Sequence, residues 1–385
     1  MEEWKEIKLG EIAEFRTGKL NSNAAVHKGK YPFFTCAPET YLINDYAFDQ
    51  KAILLAGNNA DGIFNIKYYE GRFNAYQRTY VINPISSEID ILFLYYALQL
   101  CLQQFKVLSQ GTSTKFLTAK ILNAFSLKVP SITTQQRIVD IIKSLDDKNE
   151  VNRRINDNLE QQAQALFKSW FVDFEPFKDG EFVESELGMI PKGWRILSLT
   201  HIANFLNGLA MQNFRPDGLD KGIPVLKIKE LGQGRCDSSS DLCSSSIDAQ
   251  YKIGDGDVIF SWSGTLLVDL WCGGLCGLNQ HLFKVTSKDY PKWFYYLWTK
   301  EHLKNFIHIA KDKAVTMGHI KRSHLEEAKV LLPPMNVLDC MTNMMHPILE
   351  ETIVRKIESS RLSSLRDTLL PRLMSGELRI NDISV

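Results

Sequence analysis

Nowhere in its 385 residues does the chain string together the roughly 18 apolar residues that a membrane-spanning helix requires, so no membrane partner is expected. Its start, Met1-Glu-Glu-Trp-Lys, has neither the basic nor the apolar stretch of a secretory leader, and the expected compartment is the cytoplasm. Cysteine is scarce. Seven residues, an odd number scattered over the whole length, do not resemble a disulfide framework and read as reduced thiols. Cys272 and Cys276 with His281 nearby resemble half of a metal site, but structural zinc wants four ligands and a second such pair is missing. A net charge is lacking too, since 45 Lys and Arg balance 45 Asp and Glu. The balance hides a segmental contrast: 14 basic against 12 acidic side chains over residues 1–130 and 18 against 14 over 191–333, but 7 against 12 over 131–190. Mildly basic globular parts between acidic connectors suit nucleic-acid contact by the globular parts, although sums this small are also ordinary scatter.

What the chain does have is length for more than one packed core, with 44% hydrophobic residues, and a duplication. Trp4, Leu9, Ile12, Ala13, Phe15 and Gly18 recur as Trp194, Leu199, Ile202, Ala203, Phe205 and Gly208, each 190 positions on. Further along, Phe93-Leu94-Tyr95-Tyr96 answers Trp293-Phe294-Tyr295-Tyr296 at an offset of 200. Gln77-Arg78 answers Gln280-His281, and Val129-Pro130 answers Leu332-Pro333, both at 203. Spacing kept over six such residues marks a repeat. Between the matched ends the copies diverge, as at Tyr31 to Phe34 against Ile223 to Lys227. One scaffold carries two contents.

Within each copy, short apolar and β-branched runs such as Ala52 to Ala56, Thr79 to Ile82 and Val258 to Phe260 read as strands. Ile91 to Leu108 and Trp293 to Ile309 read as helices whose aromatics belong to the core rather than to a stacking platform. A long stretch almost free of Gly and Pro follows each copy. From Gln135 to Phe174 the apolar positions Ile138, Ile141, Ile142, Leu145, Val151, Ile155, Leu159, Ala163, Leu166 and Trp170 advance mostly by three or four, the mark of one amphipathic helix about 60 Å long. Ile348, Ile353, Ile357, Leu362, Leu365, Leu369 and Leu373 repeat the pattern. An apolar stripe needs a partner, and the other copy supplies one. The expected fold class is α+β: a tandem duplication of a mixed α/β domain, each followed by a long helix, the two helices packed as an antiparallel coiled-coil-like spacer.

Three stretches carry a family likeness: Leu166-Phe167-Lys168-Ser169-Trp170-Phe171-Val172-Asp173-Phe174, Glu186-Leu187-Gly188-Met189-Ile190-Pro191-Lys192-Gly193-Trp194, and Leu369-Leu370-Pro371-Arg372-Leu373-Met374-Ser375-Gly376-Glu377-Leu378. With the duplication, they make the chain resemble the DNA-specificity subunit of type I restriction-modification systems over essentially its whole length. The resemblance implies target-recognition domain 1 at 1–133, a central conserved helical spacer at 134–176, a linker at 177–190, target-recognition domain 2 at 191–334 and a C-terminal conserved helical spacer at 335–385. It implies double-stranded DNA with a bipartite site as ligand, one half read by each domain. The helices would set the gap and dock two methyltransferase (modification) subunits, with Leu166, Phe167, Trp170, Phe171, Leu369, Leu370 and Leu373 as candidate partner contacts. Restriction/translocase subunits would join that core. S-adenosylmethionine, ATP and Mg would sit on those partners, leaving no cofactor or metal in this chain.

Base edges call for side chains with paired donors and acceptors, whereas small hydroxyls, Lys and backbone amides mostly hold phosphates. Candidates for DNA contact are the loop Thr112, Ser113, Thr114 and Lys115, and its counterpart with Thr316, His319, Lys321 and Arg322; a helix-capping turn is the alternative. Gln77 and Arg78 with Gln280 and His281 form a second corresponding set, for which a strand-edge role competes with base readout. Lys227 and Lys229 alternate on an expected strand and face either phosphate or solvent; Lys19, beside Gly18, is a weaker candidate.

Catalytic signatures are missing. Asn83-Pro84-Ile85-Ser86 falls short of the Asn-Pro-Pro-aromatic motif of an adenine methyltransferase. Pro216-Asp217 lacks the acidic-x-Lys partner of a metal-dependent nuclease, and there is no phosphate loop. The chain is expected to recognise and not to catalyse.

Overall fold

The structure, a computed structural model, describes residues 4–312 and 319–379. It divides into two compact units: the chain up to Asp147 together with the chain from Ser364 onward, and Lys148–Ser363. The central helix, Ile132–Phe171, and the C-terminal helix, Met335–Met374, each contribute to both units.

In the first unit a six-stranded sheet runs in the order Ala13–Thr17, Thr79–Pro84, Phe48–Ala56, Ile66–Ala75, Tyr31–Phe34, Thr40–Ile43. All neighbours are antiparallel except Tyr31–Phe34 against Ile66–Ala75. Phe48–Ala56 shows how sequence sets burial. Its first half alternates, with Asp49 and Lys51 exposed, and its second half is apolar throughout because both faces are covered. Ile53 and Leu55 enter the main core with Phe93 and Leu94, while Ala52 and Leu54 turn to Phe34 and Phe73 on the other face. The helix Ile91–Leu100 begins where Asp90 accepts from the amides of Leu92 and Phe93 at 2.8 and 3.0 Å. It is shorter than expected. At Cys101 the chain bends by 59° into a second helix, Leu102–Leu108, and the Cys101 amide bonds tightly back to Leu98 O. The same main core includes Ile138 and Ile142 of the central helix and Leu370, Leu373 and Met374 of the C-terminal helix.

The second unit replaces the six-stranded sheet with two of four strands: Asn204–Asn207, Leu282–Thr286, Asp257–Ser261, Leu267–Trp271, and Leu242–Cys243, Ile223–Leu226, Cys276–Leu278, Lys252–Ile253. Its core gathers Trp293, Phe294 and Trp298 from the helix Lys292–Asp312, Phe167, Trp170 and Phe171 from the central helix, and Met341 and Met345 from the C-terminal one.

The duplication holds at the level of register. Lys5 pairs with Val129 as Arg195 pairs with Leu332, and Phe15 pairs with Ile82 as Phe205 pairs with Val285. The two long helices run antiparallel within each unit. In the first, Arg366 Nη1 donates to Asp146 Oδ1 at 2.9 Å, and Tyr96 Oη donates to Asp146 Oδ2 at 2.9 Å. In the second, Asn149 Nδ2 donates to Ser363 Oγ at 3.2 Å and Asn152 Nδ2 to Glu358 Oε2 at 2.9 Å. The apolar stripe differs from expectation here, since Val151 is 48% exposed while Asn152 is 0% exposed. Val151 lies six residues past Leu145, which is off the helical face, whereas Asn149, Asn152 and Asn156 keep the three-and-four spacing. Among the described residues no single helix is long and apolar enough to cross a membrane.

Candidate nucleic-acid interface

Gly18 lets two chain segments touch in the first copy. A Cβ on it would lie 1.7 Å from Ala75 O, and just beyond it Leu20 bridges to Tyr76 while the Gln77 amide donates to Leu20 O at 2.9 Å. This sets Lys19, exposed, beside the turn Gln77-Arg78 between the strands Ile66–Ala75 and Thr79–Pro84. The Gln77 side chain donates to Asn21 Oδ1 at 2.8 Å. Two backbone bonds then lace the turn to its neighbours: Gly57 N to Arg78 O at 2.8 Å, and Leu117 N to Gly57 O at 2.9 Å. Asn58 and Asn59 pair with Phe116 and Lys115, so the loop carrying Thr112, Ser113 and Thr114 emerges at this same edge.

The electrostatics of the edge follow from that lacing. Arg78 holds its guanidinium 5.2 Å from the centroid of Phe116. The stems of Lys106 and Lys115 flank Gly62, whose Cβ would lie 3.2 and 3.3 Å from their Cγ atoms. Among the described residues none of Arg78, Lys106 and Lys115 is ion-paired with a carboxylate, so three cations stand together uncompensated. Such a patch attracts phosphate. Lys106 and Phe116 escaped sequence reasoning because their relation to the loop is made only by the fold.

The second copy repeats the lacing with other side chains. Trp262 N donates to His281 O at 3.4 Å, Ile320 N donates to Trp262 O at 3.1 Å, and Ser263 bridges to His319. Gly208 makes the same close approach, a Cβ on it lying 2.2 Å from Asn279 O. Trp262 is the aromatic centre of this edge. Its Nε1 donates to Asn207 Oδ1 at 2.9 Å, and its ring lies 6.0 Å from His281 and 6.3 Å from His319. Gln280 Nε2 lies 3.4 Å from His281 Nε2. The signal that could have singled out Trp262 was its place two residues past the apolar run Val258 to Phe260.

Other candidates fall elsewhere. Lys227 and Lys229 do not alternate on a strand: the strand Ile223–Leu226 ends first, Lys227 precedes the helix Ile228–Gln233, and Lys229 lies within it. Glu230 forces that change, because its buried carboxylate accepts from the Lys227 amide at 3.2 Å and starts the helix. Lys227 is paired with Asp241, whose carboxyl it holds below the usual range, and Lys229 Nζ donates to Ser239 Oγ at 2.7 Å. With Asp237 Oδ2 3.9 Å from Lys229 Nζ, both cations are compensated within the copy. Lys321 stands just before the helix Arg322–Glu327, and Arg322 lines a polar recess with His201 and Lys288 next to Asn204, at the other end of the strand from Asn207. Thr316 lies outside the described residues. Of the candidate partner contacts, Phe167, Trp170, Phe171, Leu370 and Leu373 are all buried in the chain's own cores, and Leu166 and Leu369 pack partly against them. These side chains fasten the long helices to the globular copies. Cys272 and Cys276 are buried and His281 is exposed; among the described residues no group of three or more His, Cys, Asp or Glu is placed to hold a metal.

Comparison with known proteins gives the geometry its context. The family model described as the type I restriction modification DNA specificity domain matches residues 1–161. The specificity subunit of the type I restriction enzyme MjaIX of Methanocaldococcus jannaschii is 30% identical over 310 residues, which covers 76% of this chain and 70% of that protein. The EcoDI specificity subunit of Escherichia coli is 26% identical over 403 residues, covering 98% and 89%. In fold, the crystal structure of a type I restriction-modification S subunit from M. genitalium matches with a TM-score of 0.61 over 97% of this chain and 96% of that one, at 17% identity. With its duplicated α+β copies, paired long helices and these relatives, the chain belongs to the type I restriction-modification DNA-specificity subunits.

Proposed function

We propose that the chain is the non-catalytic reader of a bipartite double-stranded DNA site, each copy engaging one half through the edge that bears Gln77-Arg78 or Gln280-His281. The observation that carries this reading is the equivalent backbone lacing of the two edges, bearing Arg78 and Phe116 in one and Trp262, His281 and His319 in the other. A frame held constant while its side chains differ suits two readers of unlike sequence. The helix pair then fixes the separation at which both halves can be engaged, and linking the readers makes the second contact intramolecular. Two methyltransferase subunits dock on the outer faces of the helices, where Val151 and Val354, equivalent in the repeat, are 48% and 52% exposed. Restriction/translocase subunits complete the assembly, and the partners supply S-adenosylmethionine, ATP and Mg.

The test is co-expression with a cognate methyltransferase subunit, followed by sequencing of methylated adenines on a plasmid. A split motif with one methylated adenine in each half is the expected result. Methylation without a split motif, or none at all, would remove the proposal.

A further inference from the structure

Three positions occupy the same place in both copies: Gly57, Arg78 and Phe116 in the first, and Trp262, His281 and His319 in the second. The first of each set receives and returns the lacing bonds, the second lies in the turn, and the third pairs with the residue after the first. Because the backbone bonds are equivalent, what distinguishes the edges at these points is side-chain chemistry. Arg78 is the sharpest case. Its guanidinium lies over the Phe116 ring, and among the described residues no carboxylate engages it. A guanidinium held against an aromatic ring rather than by a carboxylate keeps N–H donors for another partner, and its planar fork matches N7 and O6 of guanine in the major groove. Gly57 adds no side chain between them. In the second copy an indole, anchored through Asn207, fills the place of Gly57, and neither companion position carries an Arg or Lys. An aromatic edge suits the thymine methyl group rather than the acceptor pair of guanine.

We propose that these three positions set the base identity of each half-site, and that Arg78 reads a guanine in the half engaged by the first copy. The inference rests on the DNA-reading function proposed above.

The experiment uses the assembled methyltransferase, with duplexes in which each base pair of the target is replaced in turn. Wild type should discriminate at one first-half guanine by about tenfold or more, and Arg78→Ala should discriminate there by less than about threefold. Arg78→Lys should fall between, because it keeps the charge and loses the fork. The second half-site should be unchanged in both. Moving the first set into the second copy, with Trp262→Gly, His281→Arg and His319→Phe, should alter only the second half-site and introduce a guanine there. The proposal is overturned if the first half-site holds no guanine, if Arg78→Ala keeps full discrimination, or if its effect falls on the second half. Complete loss of binding by a folded, assembled Arg78→Ala complex also counts against it, because removing one base contact costs about ten- to a hundredfold. A wild-type complex that engages no split site would instead remove the underlying function.

Discussion

Asn152, wholly buried on the central helix, donates from Nδ2 to Glu358 Oε2 of the C-terminal helix at 2.9 Å, while its own Oδ1 has no hydrogen-bond partner among the described residues. The same is true of Asn149 Oδ1 and Asn156 Oδ1. Three amides at three-and-four spacing thus form a polar seam where leucines would pack, and polar groups at such positions lower stability in exchange for a defined pairing.

Asn152→Leu should therefore stabilise the helix pair by about 1 kcal/mol, read as a higher urea midpoint at unchanged slope, because it removes an unsatisfied buried carbonyl. Glu358 keeps Arg355 at 3.1 Å and Lys148 at 3.5 Å. Asn152→Asp should do the opposite at neutral pH by setting two carboxylates together. The pH dependence has a definite sign. The Asn152 amide, then Lys148 and Arg355, hold the Glu358 carboxyl below the usual range. Its contribution is present above an unfolded value of about 4.3 and lost as the pH falls through the lower folded value. The leucine variant should show a smaller acid-side loss than wild type, measured by urea midpoints between neutral and acid pH.

Gly18 and Gly208 are each irreplaceable for one reason. A methyl at Gly18 would meet Ala75 O at 1.7 Å, and one at Gly208 would meet Leu278 O at 2.4 Å; both obstacles are backbone, which cannot rotate aside. Alanine at either should cost on the order of 3 kcal/mol and open the adjoining interface edge. Limited proteolysis should cut within the copy that carries the substitution and spare the other. Protection of both copies would show that the approach is not needed.

Clustered and compensated lysines should behave differently towards DNA. Replacing Lys106 or Lys115 with Ala should weaken binding to every sequence alike and reduce the salt dependence by about one counterion per lost phosphate contact. Lys227→Ala should leave both quantities nearly unchanged, since Asp241 already pairs that ammonium. Titrations at several salt concentrations separate the two results.

The duplication was legible because Trp4, Leu9 and Ile12 must fill equivalent cores, which keeps their spacing at Trp194, Leu199 and Ile202. The long helices were legible from their apolar periodicity. The seam was not, because a hydrophobic count passes over asparagine and settles on Val151, one position away. The sequence points Lys229 to a strand because alternation over three residues cannot distinguish a strand from the first turn of a helix, and the deciding bond comes from Glu230. Arg78 is a candidate from the sequence, but Phe116 lies 38 residues further on and its approach to Arg78 is made by the fold alone.

The shared helices sharpen what a spacer variant must look like. Ile138 and Ile142 of the central helix serve one core and Phe167 and Trp170 the other, while the C-terminal helix divides Met341 and Met345 from Leu370 and Leu373 in the opposite order. Removing one turn from the central helix alone would pull its docked ends out of register with those of its antiparallel partner, so it should destabilise the chain. Removing four residues from both helices, between the segments that enter the cores, keeps the registers matched. If the helices set the gap, that double deletion shortens the spacer by about 6 Å and should bring the half-sites closer by about two base pairs, with the bases of each half unchanged. Sequencing the methylated motif reads both quantities at once. A folded double-deletion variant whose gap equals that of the wild type would mean that the separation is set elsewhere in the complex.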